Sequence, residues 1–169
     1  MVHDSMRLVG LPPIVDSRTR VLIVGSFPSE QSLAARQYYA NPRNHFWKFI
    51  GGLFGMPTTA SYVDRTACLL RHSVGLWDVI ESCARRGSMD SAIRSPRLND
   101  FTSVIQKCKS LRVVAFNGQK AEECCEELDI PMRVLLPSSS GAYPKTIEWK
   151  LAVWKERLAP FLDGRGDLK

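Results

Sequence analysis

The chain has 169 residues, 44% of them hydrophobic and 24% charged, which suits one packed domain and excludes general disorder or a fibrous repeat. Its apolar runs are only a few residues long, which excludes a membrane-spanning helix, and no basic-then-apolar leader opens it, so a cytoplasmic location is expected. The formal charge of +6 leans toward an anionic partner, nucleic acid being the commonest for a small basic domain, although a solvated basic surface gives the same count.

In chain order, residues 1–19 hold the Pro-rich stretch GLPPIVDSRT, an N-terminal arm expected to lie on the surface. Val21 to Val24 form a continuous β-branched run, the pattern of a strand buried on both faces. The pattern recurs at LRVVAF (111–116) and MRVLL (132–136), and more weakly at SVGLWDVI (73–80). Helical patterns fill the intervals: HFWKFIGGLF, YVDRTACLLRH, LNDFTSVIQKC, GQKAEECCEEL and TIEWKLAVWKERLAPFL. Strands alternating with helices imply right-handed crossovers and a mostly parallel sheet covered on both faces. The expected fold is a three-layer α/β/α sandwich of about four strands, with residues 1–169 forming a single domain.

The five cysteines, Cys68, Cys83, Cys108, Cys124 and Cys125, make no CxxC, and no His stands at finger spacing, so neither a zinc nor an iron–sulfur site is expected. They read as free buried thiols. A Cys nucleophile paired with His45 or His72 has no local support.

Ligands of open α/β sheets bind outside the carboxyl ends of the strands. The loops there are GSFPS, GLWD, FNGQ and LPSSSG, all rich in Gly, Ser, Asn or Pro. GSFPS has neither a dinucleotide fingerprint nor a P-loop, and Gly25 and Pro28 alone read as turn residues. Tyr38 and Tyr39 precede ANPRN, where Asn44 is placed to cap the following helix. Asn117 leaves the third strand; it is either a turn residue or an amide that reads a nucleobase edge with a donor and an acceptor side by side. LPSSSG is either a polar linker or a clamp on phosphate oxygens, with Lys145 and Lys150 adding charge. The arginines of CARRGSMDSAIRSPRLND either solubilise a loop or track a phosphate backbone.

Taken together, VLIVGSFPSEQSLAARQYYANPRNHFWKFIGGLF, GLWDVIESCARRGSMDSAI, VVAFNGQKA and LPSSSGAYPKTIEWKLAVW resemble the uracil-DNA glycosylase superfamily, closest to its hypoxanthine (deoxyinosine) DNA glycosylases. PRNHFW is also similar to the helix start of mismatch-specific uracil and thymine glycosylases, although Phe27 stands where those enzymes carry an Asn for the attacking water, and Asn41 where relatives usually have a His.

The resemblance implies a monofunctional enzyme that hydrolyses the N-glycosidic bond of a deaminated base flipped out of DNA, most simply hypoxanthine, and needs no metal or organic cofactor. A uracil or mismatch glycosylase, or a non-catalytic nucleotide- or DNA-binding module, are the alternatives. It implies that Asn44 orients the water, with Asp78 the alternative. Gly25, Ser26, Phe27 and Pro28 bring backbone close to the base, Tyr39 stacks on it and Asn117 reads its edge. Ser138, Ser139, Ser140, Gly141 and Lys145 grip the strand, and Ala142 or Tyr143 fills the gap left in the duplex. The expected partner is DNA carrying deaminated bases, met by a monomer.

Overall fold

A computed structural model describes residues 6–130 and 132–162. Four strands, β2 (Val21–Gly25), β3 (Val74–Asp78), β6 (Val113–Asn117) and β7 (Arg133–Leu136), pair in the order β3-β2-β6-β7, every pairing parallel. The central strand β2 is buried along its whole length, as its unbroken apolar run requires.

Because side chains alternate across a strand, β2 divides between two cores. Val21 and Ile23 face α2 (Phe46–Phe54), α3 (Tyr62–Arg71) and α6 (Ile147–Leu162), meeting Phe46, Phe49, Leu69 and Trp154. Leu22 and Val24 face α4 (Phe101–Lys107) and α5 (Gln119–Cys124), meeting Phe101, Val104, Phe116 and Ala121. This is the three-layer α/β/α sandwich the sequence implies. No described helix is long and apolar enough to cross a membrane.

Three elements differ from expectation. SVGLWDVI is two strands: the chain turns after Asp78, and β4 (Ile80–Ala84) enters a second, antiparallel sheet of order β1-β4-β5, with β1 at Leu8–Val9 and β5 at Arg94–Leu98. The arginine-rich segment is therefore partly a strand, exposed at every residue of β5, with Pro96 tolerated because the strand lies at an edge. Over its described residues, 6–19, the arm is not a surface appendage; residues 1–5 lie outside the described part. Ile14 bridges Leu76 of β3, Leu11 and Ile14 pack on the larger core, and Thr19 is fully buried.

Candidate active site

A cavity of about 1000 Å³ opens at the carboxyl ends of the parallel strands. Its floor follows from register. Gly25 stands opposite Asp78, and Val24 opposite Phe116, so Asp78, Gly25 and Asn117 end three adjacent strands at nearly one level. A Cβ at Gly25 would lie 2.6 Å from Asp78 Oδ1 and 2.9 Å from Tyr39 Oη. Only glycine lets the carboxyl and the phenol close over the strand end.

Tyr39 holds a left-handed backbone (φ 53°), rare for a bulky side chain, and its ring stacks on Phe46 at 4.1 Å and 19°. Burial first, then the Asp78 carboxylate, raises its pKa far above the usual phenol value, so the hydroxyl stays protonated. That hydroxyl accepts a hydrogen bond from Asn117 Nδ2 at 2.9 Å.

Asn117 is braced on all sides but one. Its Nδ2 also donates to Ser139 Oγ (2.8 Å), and its Oδ1 accepts from Ser139 N (2.9 Å). Both amide protons are engaged, and one Oδ1 lone pair remains. Ser139, expected to grip DNA, is turned inward and only 1% exposed, and its carbonyl accepts from His45 N at 2.8 Å.

Asp78 contrasts with this. It is 4% exposed, its Oδ2 has no hydrogen-bond partner, and Arg18–Asp16 is the salt bridge found among the described residues. Burial, then the Asp90 carboxylate, pushes its pKa up to about 7, against the opposing pull of Arg85.

The walls come from loops. Ser26 Oγ donates to Asp90 Oδ1 (2.7 Å), Glu30 N to Ser88 Oγ (2.9 Å) and Gly87 N to Glu30 Oε1 (3.1 Å), which ties segment 87–91 to the GSFPS loop. The Pro28 carbonyl accepts from Arg85, whose guanidinium lies 5.0 Å over the Phe27 ring. Phe27 borders the cavity from within an apolar cluster with Ile80, Cys83 and Ile93. Asn44 lines the cavity too; the N-cap position of α2 falls on His45, which makes no side-chain cap bond, and Asn44, one residue earlier, accepts from the first helical N–H, Phe46 N, through Oδ1 at 3.0 Å. Asn41, whose Oδ1 accepts from Arg43 N, is also a lining residue.

In the rim, Ser138 Oγ accepts from Ser140 N and Ser140 Oγ from Ala142 N, so these hydroxyls stabilise the loop's own turns. A Cβ at Gly141 would meet the Arg43 carbonyl at 2.7 Å, which fixes the rim against the PRN turn. Ser138, Ser140, Gly141 and Ala142 border the cavity; Tyr143 and Lys145 are exposed and are not among its lining residues. Lys150 does not supply surface charge: it is fully buried and donates to the Ser140 carbonyl at 2.9 Å.

Sequence reasoning did not assign Ser88, Met89, Asp90 and Ser91 to the site, because their approach depends on long-range pairing of β4 and β5. It also gave His45 no role in the pocket. His45 lines the cavity, its Nδ1 is buried without a partner, and burial, then Lys150 and Lys48, lower its pKa, leaving it neutral. No cysteine lines the cavity. Cys68 lies 3.8 Å from His72 Nδ1, but that nitrogen is 2.8 Å from the Cys68 carbonyl oxygen and burial raises the thiol pKa, the opposite of an activated nucleophile.

The family model of the uracil DNA glycosylase superfamily matches residues 12–157. A protein named hypoxanthine DNA glycosylase from Methanosarcina barkeri (strain Fusaro / DSM 804) is 34% identical over 155 residues, covering 89% of this chain and 98% of the relative. One of the same name from Methanosarcina acetivorans is 36% identical over 150 residues, covering 86% and 94%. The solution NMR structure of a Methanosarcina acetivorans protein provisionally named a uracil DNA glycosylase superimposes with a TM-score of 0.77 at 35% identity, covering 89% of this chain and 96% of that one. With the motif-bearing loops gathered around one cavity inside the matched span, the chain belongs to the uracil DNA glycosylase superfamily.

Proposed function

We propose that this enzyme hydrolyses the N-glycosidic bond of deoxyinosine in DNA, releasing hypoxanthine and leaving an abasic site. The observation that carries the reading is the near-full-length similarity to two proteins named hypoxanthine DNA glycosylase. The cavity supports it: Tyr39, Asn117, Asp78 and Asn44 converge there, a set suited to a base swung out of the helix.

In this reading the Tyr39 ring stacks on the extruded base, a contact worth roughly 1–3 kcal/mol. Asn44 keeps one Oδ1 lone pair beyond its bond from Phe46 N, enough to accept a water proton and aim the oxygen at C1′. An amide is no strong base, so the oxocarbenium character of the sugar carries most of the driving force. Asn117 accepts the N1–H of hypoxanthine with its remaining lone pair; donating to O6 as well requires the base to displace the Tyr39 hydroxyl or Ser139 Oγ from Nδ2. The rim at 138–142 follows the displaced strand, and Ala142, Tyr143 and Lys145, all exposed, are free to meet the duplex around it. The enzyme works as a monomer on DNA, in the cytoplasm with the nucleoid.

The test is incubation, in EDTA, with duplexes carrying one deoxyinosine or one deoxyuridine, beside Asn44→Ala and Asn117→Ala. Hypoxanthine release by the parent, lost in both variants, is the expected result. Uracil release alone moves the enzyme to a uracil-directed activity, and release of neither base leaves a DNA- or nucleotide-binding module.

A further inference from the structure

We infer that Asp78 is the acid of the reaction, its carboxyl proton passing from the cavity floor to N7 of a flipped purine as the N9–C1′ bond breaks. The inference rests on the hydrolytic reading above and goes beyond it by assigning the proton that the leaving base takes.

Depth comes first. Asp78 ends β3 beside Gly25, with its Oδ1 packed over the strand end, and the open walls rise above it. A nucleotide still tethered to its strand keeps N9 and C1′ toward the mouth. The edge farthest from N9 carries N1–H and O6 and meets Asn117, whose Nδ2 is turned toward Tyr39 Oη above Gly25, on the Asp78 side. O6 therefore lies on that side, and N7, which flanks O6 on the side edge of the ring, faces the end of β3 where Asp78 stands.

The second ground is elimination among the groups that line the cavity. Asp78 and Asp90 are its carboxyl groups; Asp90 is exposed and already accepts from Ser26. Burial and the nearby Lys150 and Lys48 disfavour the charged form of His45, and Tyr39 and Tyr38 are phenols made still weaker acids by burial. The cations of the lining, Arg43 and Lys48, are exposed, unlike Asp78. The charged and titratable groups facing Asp78 are Asp90, which opens the 3-10 turn Asp90–Ala92, Arg85, which follows β4, and Tyr38 and Tyr39 on the wall, and Arg85 alone among them is a cation. Arg85 hydrogen-bonds the Pro28 carbonyl and not the carboxyl. A buried carboxyl with an unpartnered Oδ2 and no ion pair holds a proton near neutrality, where a general acid is most effective.

The step balances. The electron pair of the N9–C1′ bond moves into the purine while N7 takes the Asp78 proton, so hypoxanthine leaves neutral. Water adds its oxygen to C1′, and the proton it sheds restores the carboxyl. No oxidant, reductant or second substrate is involved.

The opposite role, Asp78 as the base that activates water, predicts the opposite pH limb. Single-turnover rates of hypoxanthine release should be measured from pH 5.5 to 9 for the parent and Asp78→Asn, on deoxyinosine and on 7-deaza-2′-deoxyinosine, with thermal melts and duplex binding as controls. The parent rate on deoxyinosine should fall tenfold per pH unit above about 7. Asp78→Asn should lose about 10²–10⁴-fold and flatten that limb while still binding the duplex. Replacing N7 by carbon should cost the parent a similar factor, and Asp78→Asn should then cost almost nothing more, because both changes delete one proton transfer.

A parent rate that rises through pH 7, or penalties that multiply, overturns the inference while leaving the hydrolytic function standing. Failure of the parent to release hypoxanthine at any pH overturns the function and the inference together. Should Asp78→Asn fail to fold, the parent's pH limb and its rate on the N7-lacking substrate still decide.

Discussion

Asp78 and Asn117 end the two strands that flank β2, yet one is left without partners at Oδ2 and the other is nearly saturated. The amide ties strand β6, the Tyr39 wall and the Ser139 rim into one piece. The carboxyl ties nothing, and it sits beside a second carboxylate that makes ionisation harder. A buried polar group that stabilises its surroundings is explained by the fold alone. One that costs free energy points to chemistry.

The severest way to break this contrast is to remove the space that both groups share. Gly25→Ala would set a methyl 2.6 Å from Asp78 Oδ1 and 2.9 Å from Tyr39 Oη, and neither can retreat without disturbing the floor. Overpacking of this kind costs about 1–3 kcal/mol. The larger effect falls on activity, which should drop by more than about 10²-fold, as expected when reacting groups shift by an ångström. Urea unfolding and single-turnover release together check whether the protein remains folded while turnover is lost.

A change in the Asp78 carboxyl sharpens the contrast energetically. Its folded pKa of about 7 lies above the ordinary 3.8, so between those values the folded state binds a proton that the unfolded state does not. The stability tied to this group is therefore complete below about pH 4 and is lost as pH rises through 7. Over three pH units that amounts to roughly 4 kcal/mol as an upper bound. Asp78→Asn should lose this dependence, so acidification from pH 8 to pH 5 should stabilise the parent relative to the variant. Denaturant midpoints at the two pH values measure it, and parallel curves would show that the carboxyl is not carrying the strain assigned to it.

The two sides of the contrast were not equally legible in the sequence. Val21–Val24 and Val113–Phe116 identify themselves because strands buried on both faces must be apolar throughout, and their carboxyl ends locate the site by topology alone. Asp78 and Asn117 could thus be named as candidates. Their opposite circumstances could not, since the partners of Asn117 lie 78 and 22 residues away and the desolvation of Asp78 depends on tertiary packing that its own segment does not encode. β5 was illegible for a different reason: Arg94–Leu98 buries nothing, so no alternating pattern records its pairing. The left-handed Tyr39 was equally hidden, because a tyrosine carries no local preference for that backbone and only its packing on Phe46 and its bond from Asn117 hold it there.

On the braced side, Asn117→Ala should cost about 1–3 kcal/mol, because it strands the buried Ser139 N–H. Unlike Asp78→Asn, its penalty should be nearly the same at pH 5 and pH 8. Urea titrations at both values check this, and a strongly pH-dependent penalty would mean that the two floor groups are coupled through Tyr39.

The smallest effect tests whether the rim is a brace or merely a polar loop. Ser139→Ala deletes the hydroxyl that accepts from Asn117 Nδ2 but leaves the backbone bonds from Ser139 N to Asn117 and from His45 N to the Ser139 carbonyl in place. The orphaned amide proton should cost about 1 kcal/mol. Ser138→Ala removes only the acceptor of Ser140 N in a partly exposed turn, where water can substitute, and should stay within about 0.5 kcal/mol. Thermal melts of the two variants side by side decide the matter. Equal losses would mean that the serines act through loop geometry alone, whereas a loss confined to Ser139 would show that the rim is held by the same amide that holds the floor.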